Sequence, residues 1–394
     1  MIDKDKKTII LNGTIITPFQ ILEDKVISIE EGKIRALKDK ESINVSTDAE
    51  VIDARDKFVV PGFIDLHVHG GGGSDIMDGR YEAVKQVAAT HSRFGTTAFL
   101  PTTMTMGWDK IIESLKSVDE AFVKGTGAAE ILGVHLEGPY INPEKKGAQK
   151  EEYIRRPSIE ELLEFNEVSG NLIRLITIAP EMPGAIDFIR WLSKQGIVAS
   201  VGHSNATYEQ VQEGILAGLS HVTHIFNAMS GLDHHEPGVV GAALYSPELM
   251  IEMIADLIHL HPVAMKILIK AKGTEDVILI TDAIRATGRP EGTYDLGGQE
   301  VEVFNGQARL KDGTLAGSVL TLDKAVRNLI NEVGVPLHEA IQMATFNPAK
   351  CLGVEDKKGS LEPGKDADIV ILDKKLEVEQ TMVRGKVIYR RKKA

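Results

Sequence analysis

The chain has 394 residues, 43% hydrophobic and 26% charged, which suits one barrel-sized domain with a small satellite, or two to three ordinary domains. Its formal net charge of −12 speaks against nucleic acid as a partner, because the one long basic cluster, Arg390–Lys393, reads as a solvated tail. Met1–Lys7 is too acidic and too short in apolar residues for a signal peptide, no apolar run is long enough to span a membrane, and the single Cys351 excludes an internal disulfide and reads as a packing residue, so a cytoplasmic protein is expected.

The first sixty residues read as a β-meander without a helix. Runs rich in β-formers stand at Thr8–Leu11, Ile15–Thr17, Lys25–Glu30, Lys33–Leu37 and Phe58–Val60, punctuated by Asn12-Gly13, Glu31-Gly32 and Asp56-Lys57. From Phe63 onward the pattern alternates strand with helix. Strands are predicted at Phe63–His69, Thr97–Pro101, Ile131–Glu137, Leu172–Ile178, Ile197–His203, His221–Phe226, Met250–Ala255 and Val277–Thr281. Between them Ile111, Leu115, Val118 and Phe122, and then Val211, Ile215 and Leu219, recur at helical spacing. Residues 289–316 read as an inserted hairpin with turns at Leu296-Gly297-Gly298 and Lys311-Asp312-Gly313, followed by helices around Thr321–Asn331 and His338–Ala344. Strands return at Ala367–Leu372 and Met382–Tyr389. The fold class implied is α/β: a (β/α)8 TIM-like barrel over 58–354, with 1–57 and 355–394 joining into a small β-sandwich domain.

Chemistry gathers at the predicted strand ends. In Asp65-Leu66-His67-Val68-His69 the two histidines are two apart on a strand, so they project to one side and can grip one metal ion. Alone, such a pair is equally well two buried histidines. Glu137, His203, His224 and Asp282 fall on or at the ends of four other strands, and in a barrel all of these converge on the rim where barrel active sites sit. Imidazole and carboxylate ligands without thiolates suit zinc or iron. A bound divalent ion can lower the pKa of water from 15.7 to roughly 7. Glu137 can bridge two ions through its two oxygens, and Asp282 is placed to take a proton from the attacking water and return it to a leaving amine.

These residues carry a family resemblance. Pro61–Gly70, His135–Tyr140, Gly202–Ala206, Thr223–Met229, Leu315–Ser318 and Gly359–Asp368 together make the chain similar to the amidohydrolase superfamily, and within it to the N-acetylglucosamine-6-phosphate deacetylases, over nearly its whole length. The resemblance implies Glu137, His203 and His224 as ligands of one ion, with His67 and His69 joined by Glu137 and Asp282 around a second. One or two divalent ions per subunit are therefore expected. It implies Asp282 as general acid/base and His259 as a sugar contact that polarises the amide carbonyl. Further substrate contacts would come from Ala148, Gln149, Asn227, Ala228, Ala316, Gly317 and Ser318. The small-molecule partner would be an amino-sugar phosphate, N-acetylgalactosamine-6-phosphate being the alternative, and the assembly a homodimer. A metal-free scaffold is the non-catalytic alternative, which the intact ligand set opposes.

One departure concerns the phosphate. In Gly231–Gly238, His235 stands where many relatives carry an arginine that binds the substrate phosphate, in part across a dimer interface. Histidine lacks the guanidinium's bidentate fork. Gly70–Gly73 reads as a flexible loop rather than a phosphate cradle. Of the remaining histidines, His91 and His338 are expected at the surface and His261 in a loop. His221 is expected to face away from His224, and His135 to be either a support for the ligands or a barrel-core residue.

Overall fold

A computed structural model describes residues 7–42 and 49–392. The leader reading of residues 1–6, and Lys393 at the end of the basic cluster, lie outside the described residues.

Eight parallel strands form the barrel: β1 (Phe63–Val68), β2 (Thr96–Thr103), β3 (Val134–Glu137), β4 (Ile173–Ile178), β5 (Val198–Val201), β6 (Leu219–Val222), β7 (Met250–Ile254) and β8 (Val277–Ile280). Each pairs in parallel with the next from β1 to β8. The ring closes where Val68 bridges Ala283 and the Asp282 N–H donates to the His67 carbonyl at 2.9 Å. Helices cover the strands from outside, so β1, β2, β3 and β8 are buried along their full length; β8 (Val277–Ile280) is apolar throughout, while β1, β2 and β3 mix apolar residues with buried polar ones.

The helices follow in register: α1 (Tyr81–Ser92), α2 (Trp108–Lys124), α3 (Ile159–Val168), α4 (Ala185–Gln195), α5 (Tyr208–Ala217), α6 (Gly238–Tyr245), α7 (Pro262–Lys272) and α8 (Leu322–Asn328). In α2, Ile111, Leu115 and Val118 face the barrel as spaced, but Phe122 in the last turn is 49% exposed. α5 begins with a Thr207–Gln210 capping box and stops at Gly218, whose φ of 114° suits glycine, so Leu219 opens β6 rather than completing the helical stripe.

The terminal segments make two sheets around a shared core. One holds Lys33–Asp39, Lys25–Glu30, Thr8–Leu11 and Glu50–Asp53 in that order. The other runs Lys386–Arg390, Val378–Val383, Ile369–Leu372, Phe58–Pro61, Thr14–Ile16 and Ile21–Leu22. Ile10, Ile27 and Ile29 of the first meet Ile15, Val59, Ile369 and Met382 of the second, which is the sandwich expected from the two ends. The N-terminal strands are not a meander. The chain crosses between sheets after Leu11, and Thr8–Leu11 pairs in parallel with Glu50–Asp53. Ile21 and Val51 are half exposed, so the short strands that carry them show no clean alternation in sequence. A short 3₁₀ turn at Lys40–Ser42 also departs from the helix-free reading.

Two further expectations are corrected. The insert is a three-stranded antiparallel sheet, Gly292–Leu296, Gln299–Phe304 and Gln307–Leu310, because Asn305-Gly306 supplies a turn of its own. The basic cluster is not a free tail: Arg390 ends a strand, and Arg391 pairs with Asp373 at 2.7 Å and Glu377 at 2.8 Å.

Sandwich and barrel are clamped by Lys358, whose buried ammonium lies 2.7 Å from Glu130, 3.0 Å from Asp366 and 2.7 Å from Asp368. Lys358→Met would leave Asp366 and Asp368 buried without this cation, an expected loss of roughly 3 kcal/mol. Burial already raises the Asp368 pKa against the pull of Lys358. The deficit in urea-unfolding stability should therefore narrow as pH falls and that carboxyl takes up a proton.

Candidate active site

The barrel delivers its chemical groups to one rim. His67 lies within β1 and His69 follows it, Glu137 is the last residue of β3, and His203, His224 and Asp282 each lie two residues beyond β5, β6 and β8. Those last three have φ of 49°, 28° and 50°, a backbone region that non-glycine residues seldom enter. The chain turns sharply as it leaves each strand, and the turn aims the side chain across the barrel mouth. His224 is thus not on the strand. Period-two reasoning stops at Val222, which is why the expectation for His221 fails: His221 is buried and bonds Ser200 Oγ at 2.9 Å, in the same polar chain that reaches His135.

Glu137 is the hub. Its Oε1 stands 3.3 Å from His67 Nε2 and 3.2 Å from both His203 Nε2 and His224 Nε2. Its Oε2 stands 3.2 Å from His69 Nε2. Asp282 Oδ1 approaches His69 Nε2 at 3.3 Å and His67 Nε2 at 3.6 Å. Two compact ligand sets result, His67 with His69 and Asp282, and Glu137 with His203 and His224.

The hydrogen bonds behind the rings fix what this cluster wants. His69 Nδ1 donates to the Thr102 carbonyl at 3.2 Å, His203 Nδ1 to the Lys145 carbonyl at 2.9 Å, and His67 Nδ1 to Glu252 at 3.1 Å. In the neutral rings the Nε2 atoms then carry lone pairs, all aimed inward. His67 and His69 Nε2 are 3.2 Å apart, and His203 and His224 Nε2 3.1 Å apart. Lone pairs this close repel unless positive charge stands between them. Burial disfavours the charged imidazole of His69, yet Asp282 and Glu137 hold its pKa up to about 9; His67 is likewise raised, against burial, by Glu137, Asp282 and Glu252. Glu137 is held well below the usual carboxylate range, despite burial, by His67, His203 and His224. The residues fit a divalent cation, and oxygen and imidazole donors without thiolate suit zinc or iron.

A cavity of about 300 Å³ opens over the cluster. His69, Glu137, His203, His224, Asp282 and His259 line it, as do Ala148, Gln149, Asn227, Ala228 and Gly317. Ala316 and Ser318 flank the cavity loop but are themselves buried, with Ser318 Oγ on the Thr281 carbonyl at 2.6 Å. Gln149 reaches inward: its amide donates to Glu137 Oε2 at 2.6 Å. His235 lies exposed and outside the lining, stacked on His234 with ring centroids 3.9 Å apart. Lys145 brings a cation to the wall, and Leu296 and Thr314 border it from the inserted sheet and the turn after it. Gln299 of that sheet holds the Ala148 carbonyl at 2.7 Å.

Several background expectations change. His91 is fully buried, donating to the Gly70 carbonyl at 2.9 Å, and burial pushes its pKa down to about 4. Gly70–Gly73 is an ordered hairpin rather than a flexible loop: Gly70-Gly71 pairs with Ser74-Asp75, and a Cβ on Gly70 would lie 2.5 Å from the Arg285 nitrogen. His338 is half-buried at the start of its helix, and exposed His261 caps α7. His135 is buried, its ring edge-on to His67 at 4.5 Å between centroids, with bonds to the Leu66 carbonyl and Thr177. Sequence reasoning missed Glu252 and Asp256. Their signals were a lone carboxylate inside the apolar run Met250–Ala255, and an aspartate three residues before His259, which it meets at 2.7 Å.

The amidohydrolase family profile matches residues 58–388. An N-acetylglucosamine-6-phosphate deacetylase of Bacillus subtilis (strain 168) is 38% identical over 386 residues, covering 96% of each chain. An N-acetylgalactosamine-6-phosphate deacetylase of Escherichia coli O157:H7 is 40% identical over 366 residues, 93% of this chain and 95% of that one. Among solved structures, an N-acetylglucosamine-6-phosphate deacetylase from Pasteurella multocida superposes with a TM-score of 0.91 at 34% identity, over 97% of this chain and 99% of that one.

Proposed function

This chain belongs to the amidohydrolase family, and we propose that it hydrolyses the N-acetyl group of N-acetylglucosamine-6-phosphate to give glucosamine-6-phosphate and acetate. One observation carries the hydrolytic part: two ligand sets, His67 with His69 and Asp282, and Glu137 with His203 and His224, meet with the Glu137 carboxylate within 3.3 Å of imidazole nitrogens of both, beside a cavity that also exposes Asp282 and His259. The sugar phosphate follows from the relatives named above.

His67, His69 and Asp282 would hold one divalent ion, and Glu137, His203 and His224 the other, with zinc or iron as the metal. When bound, such ions make water acidic enough to attack near neutral pH and polarise a carbonyl. The chain's own residues do the rest. Asp282 is buried, but His67 and His69 keep its pKa below the ordinary carboxylate value, so it is ionised at neutral pH and ready to accept the proton of the attacking water. As the carbon–oxygen bond forms and the carbon–nitrogen bond breaks, Asp282 passes that proton to the amine. His259 donates a hydrogen bond from Nδ1–H to Asp256 Oδ2 at 2.7 Å, which leaves Nε2–H of the protonated ring for the amide oxygen. Burial lowers the His259 pKa, but Asp256 and Asp282 outweigh it and Arg309, so the ring is held above its usual value.

His259→Asn should therefore lower kcat/KM on the order of 10²-fold, the cost of one oxyanion donor. Asp256→Asn should move the alkaline limb of the pH profile downward, because the protonated ring would then be lost at lower pH. An unshifted limb would remove His259 from this role.

The reading includes a cytoplasmic homodimer, in which His235, outside its own cavity, would reach the phosphate in its partner's. Lys145 is the ammonium already at the wall of the cavity within one chain. A second reading keeps the chemistry and changes the sugar to N-acetylgalactosamine-6-phosphate, favoured by the Escherichia coli relative. Competition between the two epimers in one reaction decides. At least tenfold preference for the gluco sugar is expected, and a reversed ratio would select the second reading.

A further inference from the structure

Glu252 sits in the middle of β7 among Ile251, Met253 and Ile254, and none of it is exposed. A carboxylate in such surroundings is costly unless partners compensate it. Its Oε2 accepts from His67 Nδ1 at 3.1 Å and from the backbone N–H of His224 at 3.1 Å, while Oε1 has no hydrogen-bond partner. The rings of His69 and His203 lean on neutral backbone carbonyls. His67 alone of these three is backed by an ionisable group.

We propose that Glu252 is a positioning residue for the metal site, fixing the Nδ1–H tautomer and orientation of His67 and strengthening its Nε2 as a ligand, while tying that ring to the turn that presents His224. The proposal rests on the reading of the rim as a metal-holding site. A charged acceptor behind an imidazole makes it a better donor to a cation than a carbonyl does. The effect falls on the ion shared by His67 and His69. At the other ion Glu252 touches only a backbone N–H, which a glutamine carbonyl would serve as well. The carboxylate also contributes negative charge beneath a site asked to carry up to two divalent ions. Glu252 is not itself part of the cavity lining, so its action on the reaction runs through the ligands.

Glu252→Gln keeps the shape and the acceptor and removes the charge. Metal-stripped wild type, Glu252→Gln and Ser200→Ala (in the neighbouring buried polar chain, bonded to His221 and Thr223) would be titrated with Zn²⁺ calorimetrically. Glu252→Gln should weaken the ion at His67 and His69 about 10- to 100-fold. The ion at Glu137, His203 and His224 should hold its affinity, and Ser200→Ala should change neither. Wild-type affinity at both sites in Glu252→Gln, or equal weakening at both, would overturn the proposal. A second readout needs no altered carboxylate. In ¹⁵N-histidine-labelled wild type, with His67 assigned by its absence from His67→Asn, the ring should carry a slowly exchanging Nδ1 proton. An Nε2–H tautomer would overturn the proposal even if the variant failed to fold. Should wild type take up a single ion, the two-ion reading falls by itself, and the tautomer decides the case of Glu252.

Discussion

Asp282→Asn should fold and keep the ion at Glu137, His203 and His224, yet turn over at least about 10³-fold more slowly, within the range by which positioned acid–base groups act. The substitution is isosteric, and the backbone bond from residue 282 to the His67 carbonyl that closes the barrel does not involve the side chain. The ligand set of Glu137, His203 and His224 is untouched, so the ion there stays. What disappears is an ionised oxygen 3.3 Å from His69 Nε2, on the wall of the cavity, able to take a proton and give it back. Asparagine keeps the shape and cannot ionise. Single-turnover acetate release on protein of measured metal content is the check; near-full turnover would mean that another group moves the proton.

Glu137→Gln should cost metal as well as activity, because its carboxylate stands against the imidazoles of both ligand sets. Glu137 Oε1 is shared by three imidazole nitrogens and Oε2 faces a fourth. A glutamine can present one oxygen, and its NH₂ would turn protons toward the place of the other ion. Loss of a direct ligand exceeds the roughly 10–100-fold cost of losing a supporting hydrogen bond, so metal content below one ion per chain and activity down by more than 10²-fold are expected. His67→Ala with His69→Ala should remove one ion and spare the other. If Glu137→Gln kept two ions by elemental analysis, the carboxylate would not be the bridge.

The barrel and its rim were legible because short β-rich segments alternate with helical ones, as in the apolar run of β8, and because each candidate ligand stands near or just past the C-terminal end of such a segment. All six candidate metal and acid–base residues meet within hydrogen-bond distances. What failed was local geometry. Strand alternation placed His221 wrongly because the chain leaves β6 at Val222 and bends through a left-handed residue at His224. His91 was read as a surface residue although it follows Val87 and Ala88 by four and three positions on the buried stripe of α1, so its neighbours were the signal and its polarity misled. Glu252 was passed over for the opposite reason, its apolar surroundings making the run look like plain core. The third strand of the insert was missed although Asn305-Gly306 is a local hairpin signal, whereas the pairing of Glu50–Asp53 with Thr8–Leu11 depends on a partner distant in sequence, which local propensity does not encode.

The most direct measurement is acetate release from N-acetylglucosamine-6-phosphate, with the unphosphorylated sugar alongside, by protein as purified and after removal of metal by a chelator. Rapid release from the phosphorylated sugar, lost on stripping and restored by zinc or iron, is the predicted result. Hydrolysis that survives complete metal removal, or no release by metal-replete protein, would contradict it.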